Sequence, residues 1–345
     1  MTGPRGDAPR KPTLEDVARA AGVSRALVSI VMREAPGASD ETRARVQDVA
    51  RELGYRPDAR ARLLAKQATR LIGVVYRVDA LHHADLLASI YDEAEAAGYE
   101  IVLSGRTEHH DERKAVDALL DYRCDAVLIL GTDLADATLN QVAKTVPLIS
   151  VGRRVPGAGG RLDAIRSDDP EGVRQLVAHL AGMGHRDIVH VDGGVGTISA
   201  DRRKAYRTAM TALGLRDHCN VITGDGRREA GVRAADALLE MDPRPTAVVC
   251  FNDETALGLM RQLVRKGYEV PGDVAVVGFD GSRLSKLAVR ELTTIRQDVE
   301  ALGRASVRRA IERLEGEDGG PQDVVLPVAF IDGETTSAPR PAAGA

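Results

Sequence analysis

The chain has no tryptophan among its 345 residues, and only three phenylalanines and seven tyrosines. Aliphatic and alanine packing must therefore build its cores, and any ligand pocket has few rings to lay against a sugar. Cysteine is scarce too. Cys124, Cys219 and Cys250 are far apart and odd in number, with neither zinc spacing nor a disulfide framework, which points to a reducing compartment. No apolar run approaches the ~20 residues that span a bilayer. The first residues, MTGPRGDAPRKP, lack the hydrophobic core of a signal peptide. A cytoplasmic protein without a membrane partner is expected. Catalytic signatures are also missing: no G-x-S-x-G elbow, no HExxH, no carboxylate pair of telling spacing. The GGVG of residues 193–196 lacks the GKS or GKT ending of a phosphate loop. No enzyme activity, metal or cofactor is implied.

What is present is divided unevenly. Residues 1–70 carry 14 Lys or Arg against 9 Asp or Glu, a net of plus 5, although the whole chain carries minus 4. A basic head on an acidic body suits a protein that touches phosphates at one end. The length calls for two or three packed units, and 43% hydrophobic residues suffice for real cores.

The head is organised around TLEDVARAAGVSRALVSIVMR, residues 13–33. Thr13 and Asp16 have the spacing of a capping box, and Leu14, Val17, Ala18 and Ala21 make one apolar face. Gly22 permits a sharp turn and Ser24 can cap a second helix, whose Val28, Val31 and Met32 face inward. Arg25, Ala26, Ser29, Ile30 and Arg33 then face outward. This is the spacing of a helix-turn-helix, whose second helix fits the DNA major groove. The alternative is an ordinary helical hairpin. A third helix follows from Ser39 or Asp40, buries Val46, Val49, Ala50 and Leu53, and ends at Gly54.

From Leu71 the periodicity changes. LIGVVY, YEIVL, DAVLIL and VPLISV alternate with helical stretches, and a similar alternation runs from 170 to 278, the pattern of parallel sheets wrapped by helices. The fold class is α/β, with a three-helix head and two doubly wound parallel-sheet subdomains. Polar residues placed just after strands, where open sheets collect ligands, are Arg77, Arg153, Asn252, Asp253, Asp280 and Gln297. His82 and His83 lie in the loop after the first strand, and adjacent histidines point different ways.

In Thr13, Leu14, Asp16, Val17, Ala18, Ala21, Gly22, Val23, Ser24, Val28 and Ser29 the sequence resembles the lactose-repressor (LacI/GalR) type of regulator, and the resemblance continues from Lys11 to about Ser337. It implies a ligand core of periplasmic-binding-protein type crossed three times by the chain. The expected organisation is a disordered arm over 1–11, a helix-turn-helix domain over 12–57 and a hinge over 58–70. A first subdomain takes 71–168 plus 298–326, a second takes 169–297 plus 327–337, and a disordered tail takes 338–345. In the hinge, Ala61, Arg62 and Leu64 match, with Leu64 as the wedge between base pairs; the alternative is a plain basic linker. Asp58 stands where asparagine is usual.

The resemblance further implies a transcriptional regulator, most simply a repressor, that binds a pseudo-palindromic DNA operator as a homodimer under control of a small effector such as a sugar. The tail APRPAAGA has no heptads for a tetramer. Candidate DNA contacts are Thr13, Ser24, Arg25, Ala26, Ser29, Ile30, Arg33, Arg62 and Leu64. Candidate effector contacts are Arg77, His82, Arg153, Arg203, Asn252, Asp280 and Gln297, of which Arg203, Asn252 and Asp280 match positions that hold effector hydroxyls in sugar-responsive relatives. Each has a structural alternative: an ion pair for Arg203, a turn for Asn252, a held loop for Asp280. Asp253 reads best as a helix N-cap. A solute-binding protein without gene control, or an enzyme with a fused head, are the rival classes.

Ile30 stands where many relatives carry arginine, and isoleucine favours a thymine methyl where arginine would bond guanine. Ile30→Arg is therefore expected to change the preferred base in each half-site, whereas Leu64→Ala weakens all operators alike. Site selection from random DNA checks both, and an unchanged preference for Ile30→Arg contradicts the placement of that side chain in the groove.

Overall fold

The computed structural model describes residues 12–32, 35–55, 68–316 and 319–340. The arm 1–11, Arg33, most of the hinge with Arg62 and Leu64, and residues 341–345 lie outside these. The chain forms two compact units, 1–69 and 70–345.

In the first unit, α1 (Leu14–Ala21), α2 (Arg25–Met32) and α3 (Asp40–Glu52) share a core of Val17, Ala18, Ala21, Val28, Val31, Val46 and Ala50. Thr13 and Asp16 cap α1 reciprocally, and Gly22 ends it in the left-handed region at φ 65°. Ser24 Oγ accepts from the Leu27 N–H at 3.2 Å, and Ser39 Oγ from the Thr42 N–H at 3.3 Å, so each later helix begins on a serine.

The second unit holds two six-stranded sheets. In the first, β1 (Leu71–Arg77), β2 (Glu100–Arg106), β3 (Ala126–Leu130), β4 (Leu148–Val151), β5 (Leu162–Ser167) and β11 (Asp323–Leu326) run parallel in the order β11-β5-β4-β3-β1-β2. The helices α4 (Leu81–Ala96), α5 (Glu112–Asp121), α6 (Asp136–Val142) and α12 (Val299–Leu314) belong to this lobe. The second sheet has the order β12-β10-β9-β8-β6-β7, from β6 (Ile188–Val191), β7 (Asn220–Ile222), β8 (Ala247–Cys250), β9 (Ala275–Asp280), β10 (Thr293–Gln297) and β12 (Val328–Ile331). Only β12 is antiparallel. Its helices are α7 (Asp169–Gly182), α8 (Thr197–Ala212), α9 (Arg228–Leu239), α10 (Asp253–Arg265) and the short α11 (Arg283–Leu287). The chain passes between lobes after β5, after β10 and after β11. No helix among the described residues is long and apolar enough to cross a membrane.

Two strands are not apparent from hydrophobic pattern. β11 is a four-residue edge strand, and β5, LDAIRS, carries two charges, Asp163 and Arg166. Asp163 is fully buried. Its carboxylate accepts from Arg313 Nε at 2.8 Å and Nη2 at 3.1 Å, lies 3.2 Å from Arg309 Nη2, and accepts the Gln322 N–H at 2.7 Å. One carboxylate thus ties β5 to α12 and to the approach to β11. Residues 338–340 of the expected tail are described. Arg340 forms ion pairs with Glu269 and Asp273, and Pro339 lies beside Gly184.

Removing one side of a buried ion cluster costs about 3–5 kcal/mol. Asp163→Ala, which leaves Arg309 and Arg313 buried without their carboxylate, is expected to lower stability by that order in chemical denaturation. A loss below about 1 kcal/mol contradicts the role of Asp163 as the tie.

Candidate functional site

The head presents its second helix unevenly. Ser24, Arg25 and Ala26 are exposed, whereas Ser29 and Ile30 are half-buried. The chain turns back at Gly37, φ 120°, and the Ile30 Cδ1 lies 3.8 Å from where a Gly37 Cβ would stand. Ile30 therefore leans on this turn and is not wholly outward, as the helical phase alone predicts. Thr13 spends its hydroxyl on Asp16 Oδ2 at 2.6 Å, as part of the cap.

Between the two lobes lies a cavity of 170 Å³ at the carboxyl ends of the strands. The first lobe contributes Arg77 and Arg106, from the ends of β1 and β2, Asp133 after β3, and His82 and His83 at the start of α4. Ser199, Arg202, Phe251, Asn252, Glu254, Asp280 and Gln297 come from the second. Five of the expected effector residues are thus brought together: Arg77, His82, Asn252, Asp280 and Gln297.

Two are not. Gly152 turns the chain after β4, and the buried Arg153 guanidinium donates to the Leu134 carbonyl and Asp136 instead of reaching the cavity. Arg203 pairs with Asp192, whose Oδ1 also accepts the Gly194 and Gly224 N–H groups at 2.9 and 3.0 Å. Its neighbour Arg202 takes the cavity position. Arg202 Nε donates to Asp169 Oδ2 at 2.9 Å and Nη1 to the Phe251 carbonyl at 2.6 Å, with the guanidinium 3.6 Å from the Phe279 ring centre. The phase of α8 carries this signal: Tyr206, Ala209 and Met210 are buried, and one turn back from Tyr206 is 202, not 203.

The N-cap expected at Asp253 is formed by Asn252, which also lines the cavity. Asn252 is the N-cap of α10: its Oδ1 accepts the Thr255 N–H at 2.9 Å while Nδ2 donates to the Gly226 carbonyl at 2.8 Å. Asp253 is fully buried and binds the Ser282 N–H at 2.7 Å and the Thr294 hydroxyl at 2.6 Å. A hydrogen-bonded chain crosses between lobes at the floor, where Ser167 Oγ donates to Gln297 Oε1 at 2.7 Å and Gln297 Nε2 donates to Asp280 Oδ1 at 2.8 Å. Asp280 itself has φ 124°, a conformation rare for a residue with a side chain.

Burial sets the protonation of these walls. The His82 imidazole is pushed down to about 4 by burial and by Arg202, and that of His83 to about 3 by burial and by His82, so both are neutral at pH 7. His83 Nδ1 accepts the Arg77 N–H at 2.9 Å, which leaves the proton on Nε2. Burial raises the Asp280 carboxyl well above its ordinary range against the pull of Arg202, and Asp253 rises through burial and the neighbouring Asp280 charge. Among the described residues, no group of three or more His, Cys, Asp or Glu is placed to hold a metal. The signal for Arg106, missed in the sequence, was its position at a strand end. Asp133 could be found as the third residue past β3, and Glu254 by its place in the first turn of α10.

Because Asp280 binds its proton more tightly folded than unfolded, its ionisation costs stability increasingly as pH rises above ~4. Asp280→Asn removes that cost. The melting-temperature gain of this variant over the unaltered chain is expected to grow between about pH 5 and about pH 8, and a pH-independent difference contradicts the assignment.

Comparison with known proteins places these features. The profile of bacterial regulatory proteins of the lacI family matches residues 13–58, and that of the periplasmic binding protein-like domain matches 177–336. Catabolite control protein A of Priestia megaterium is 30% identical over 321 residues, 91% of this chain and 96% of that protein. The crystal structure of the lac repressor dimer bound to operator and the anti-inducer ONPF is 29% identical with a TM-score of 0.81, covering 95% of this chain and 100% of that one. The complex of the transcriptional regulator CelR with cellobiose is 30% identical, TM-score 0.69, over 94% and 99%. A capped helix-turn-helix head joined to two doubly wound lobes, matched along nearly its whole length, makes this chain a member of the lacI family of bacterial regulatory proteins, DNA-binding transcriptional regulators and not enzymes.

Proposed function

We propose that the chain is a homodimeric repressor whose affinity for a pseudo-palindromic operator is set by a sugar or related polyol held between the two lobes. The observation that carries the reading is the inter-lobe cavity, to which both lobes contribute polar side chains: Arg77, His82, His83 and Arg106 from one, Arg202, Asn252, Asp280 and Gln297 from the other. A ligand touching both walls favours one relative position of the lobes, which is how binding shifts a two-state equilibrium. Mixed donors and acceptors over Phe251 suit hydroxyls on an otherwise apolar ring. Cellobiose in one relative, and the operator-bound dimer of another, support the same reading.

In this reading Ser24, Arg25, Ala26, Ser29, Ile30 and Arg33 meet the major groove, with Thr13 at its edge and Arg62 and Leu64 in the minor groove. One short recognition helix gives too few base contacts, so two heads related by a two-fold read the two half-sites. Movement of the lobes alters the dimer interface and with it the mutual support of the two hinge segments.

Fluorescence anisotropy on an operator obtained by site selection tests this. Operator affinity is expected to change about 5- to 150-fold with the cognate carbohydrate, and identical affinity with every carbohydrate overturns the reading. Sedimentation is expected to give a dimer; a tetramer contradicts the assembly.

A further inference from the structure

We propose that the chain has a second ligand site, for a small organic anion, in a cavity beside the first crossing between the lobes, where Arg154 of one lobe and Lys204 of the other hold the acid group. The site is separate from the cavity read as the effector site and does not depend on that reading.

This cavity measures about 590 Å³, against 170 Å³ at the strand ends, and falls within the range of about 300–1,000 Å³ usual for small-molecule sites. Three pieces of chain form it. Gly152 and Arg154 follow β4 in the first lobe, residues 167–171 carry the chain across from β5 into α7, and one face of α8 closes the space. Ile198, Asp201, Ala205, Thr208 and Ala212 recur every three or four residues along that face, so a single helical stripe lines the cavity. Its side chains are mostly small and leave the space open. The two cavities adjoin: Asp169 lines this one and Arg202 the other, their 2.9 Å ion pair stands between them, and Gly152 and Ile198 line both.

Internal pairing decides what the cavity can hold. Four cations and four carboxylates line it, and most are spent on one another or on neighbours. Arg166 is bidentate on Asp323 at 2.8 and 3.0 Å, and Arg174 on Glu171 at 2.7 and 2.6 Å. Asp169 is taken by Arg202, and Asp168 Oδ1 caps α7 by accepting the Glu171 N–H at 3.1 Å. Left over are Arg154, Lys204 and Asp201, none of whose side chains has a hydrogen bond or ion pair among the described residues. Arg154 and Lys204 are exposed and Asp201 half-buried. Two uncommitted cations against one carboxylate favour an anion: the Arg154 fork suits a planar carboxylate, and Lys204 adds a point charge from the opposite lobe. Because water screens exposed charges, such cations hold an inorganic anion weakly. Apolar contact with Ala205 and Ala212, on the helix face beside Lys204, adds the part of the affinity that an organic body supplies.

Calorimetric titration of the full-length chain with succinate, citrate and benzoate, and with the amide of each acid, tests the inference. At least one of the three anions is expected to bind saturably, and its amide at least about tenfold more weakly. Arg154→Glu and Lys204→Glu reverse exposed, unpaired side chains outside the packed cores, and each is expected to weaken that anion at least about tenfold. Arg207→Glu, on the same helix but outside the cavity lining, is expected to change the affinity by no more than about twofold. No binding by any of the three anions overturns the inference, as does an amide that binds as tightly as its acid. Affinity unchanged in either Arg154→Glu or Lys204→Glu, or lost equally in Arg207→Glu, places the anion elsewhere and overturns it too. All of these outcomes leave the effector cavity untouched, because none of the three substituted residues lines it.

Discussion

Arg202 is the interaction on which the second lobe's wall depends. A guanidinium so deeply buried is tolerable only when its donors are filled, and here Asp169, the Phe251 carbonyl and two aromatic faces fill them. The consequence is geometric. Asp169 is in the first turn of α7, Phe251 follows β8, and Phe279 lies on β9, so one side chain fixes three elements against α8. It also faces Asp280, 3.9 Å from Nη1, the head of the hydrogen-bonded chain that runs through Gln297 to Ser167 in the first lobe. Packing of the wall and communication across the crossing thus share one charge.

The two lobes meet through groups that neither could satisfy alone. The α4 end lacks a local side-chain cap and receives the Glu254 carboxylate from the other lobe, Asp133 lies beside Gly196 at the start of α8, and Asp79 with Arg227 and Asp85 with Arg283 add ion pairs at the rim. Contacts at half-exposed rim positions contribute little to stability. Their value lies in being made only when the lobes are together, which is the property a ligand-biased element requires. In this light the absence of tryptophan in the chain is coherent with a site that works through hydrogen bonds over a single phenylalanine.

Much of this was legible in the sequence, and the failures have physical causes. The capping box of Thr13 with Asp16, the turn at Gly22 and the cap at Ser24 are local signals and define the head. Hydrophobic alternation gives the two sheets because buried parallel strands read as continuous apolar runs. It fails at β5, where Asp163 is buried by two arginines distant in sequence, since a long-range ion cluster leaves no local trace. Placement after a strand gathers Arg77, Asn252, Asp280 and Gln297 but also admits Arg153, because a glycine turn can send the next side chain away from the cavity. Resemblance points to Arg203, whereas helical phase favours Arg202, the residue that lines the cavity. Ile30 shows the converse: phase points it outward, and the following turn covers part of it.

The central claim is that one binding event between the lobes and another at DNA share a coupling free energy. Such coupling is reciprocal by thermodynamic necessity. The most direct measurement is calorimetric titration of the cognate sugar into the full-length chain, once alone and once saturated with operator. The account predicts that operator changes sugar affinity by the same factor, about 5- to 150-fold, by which sugar changes operator affinity. Equal sugar affinity with and without operator would contradict it.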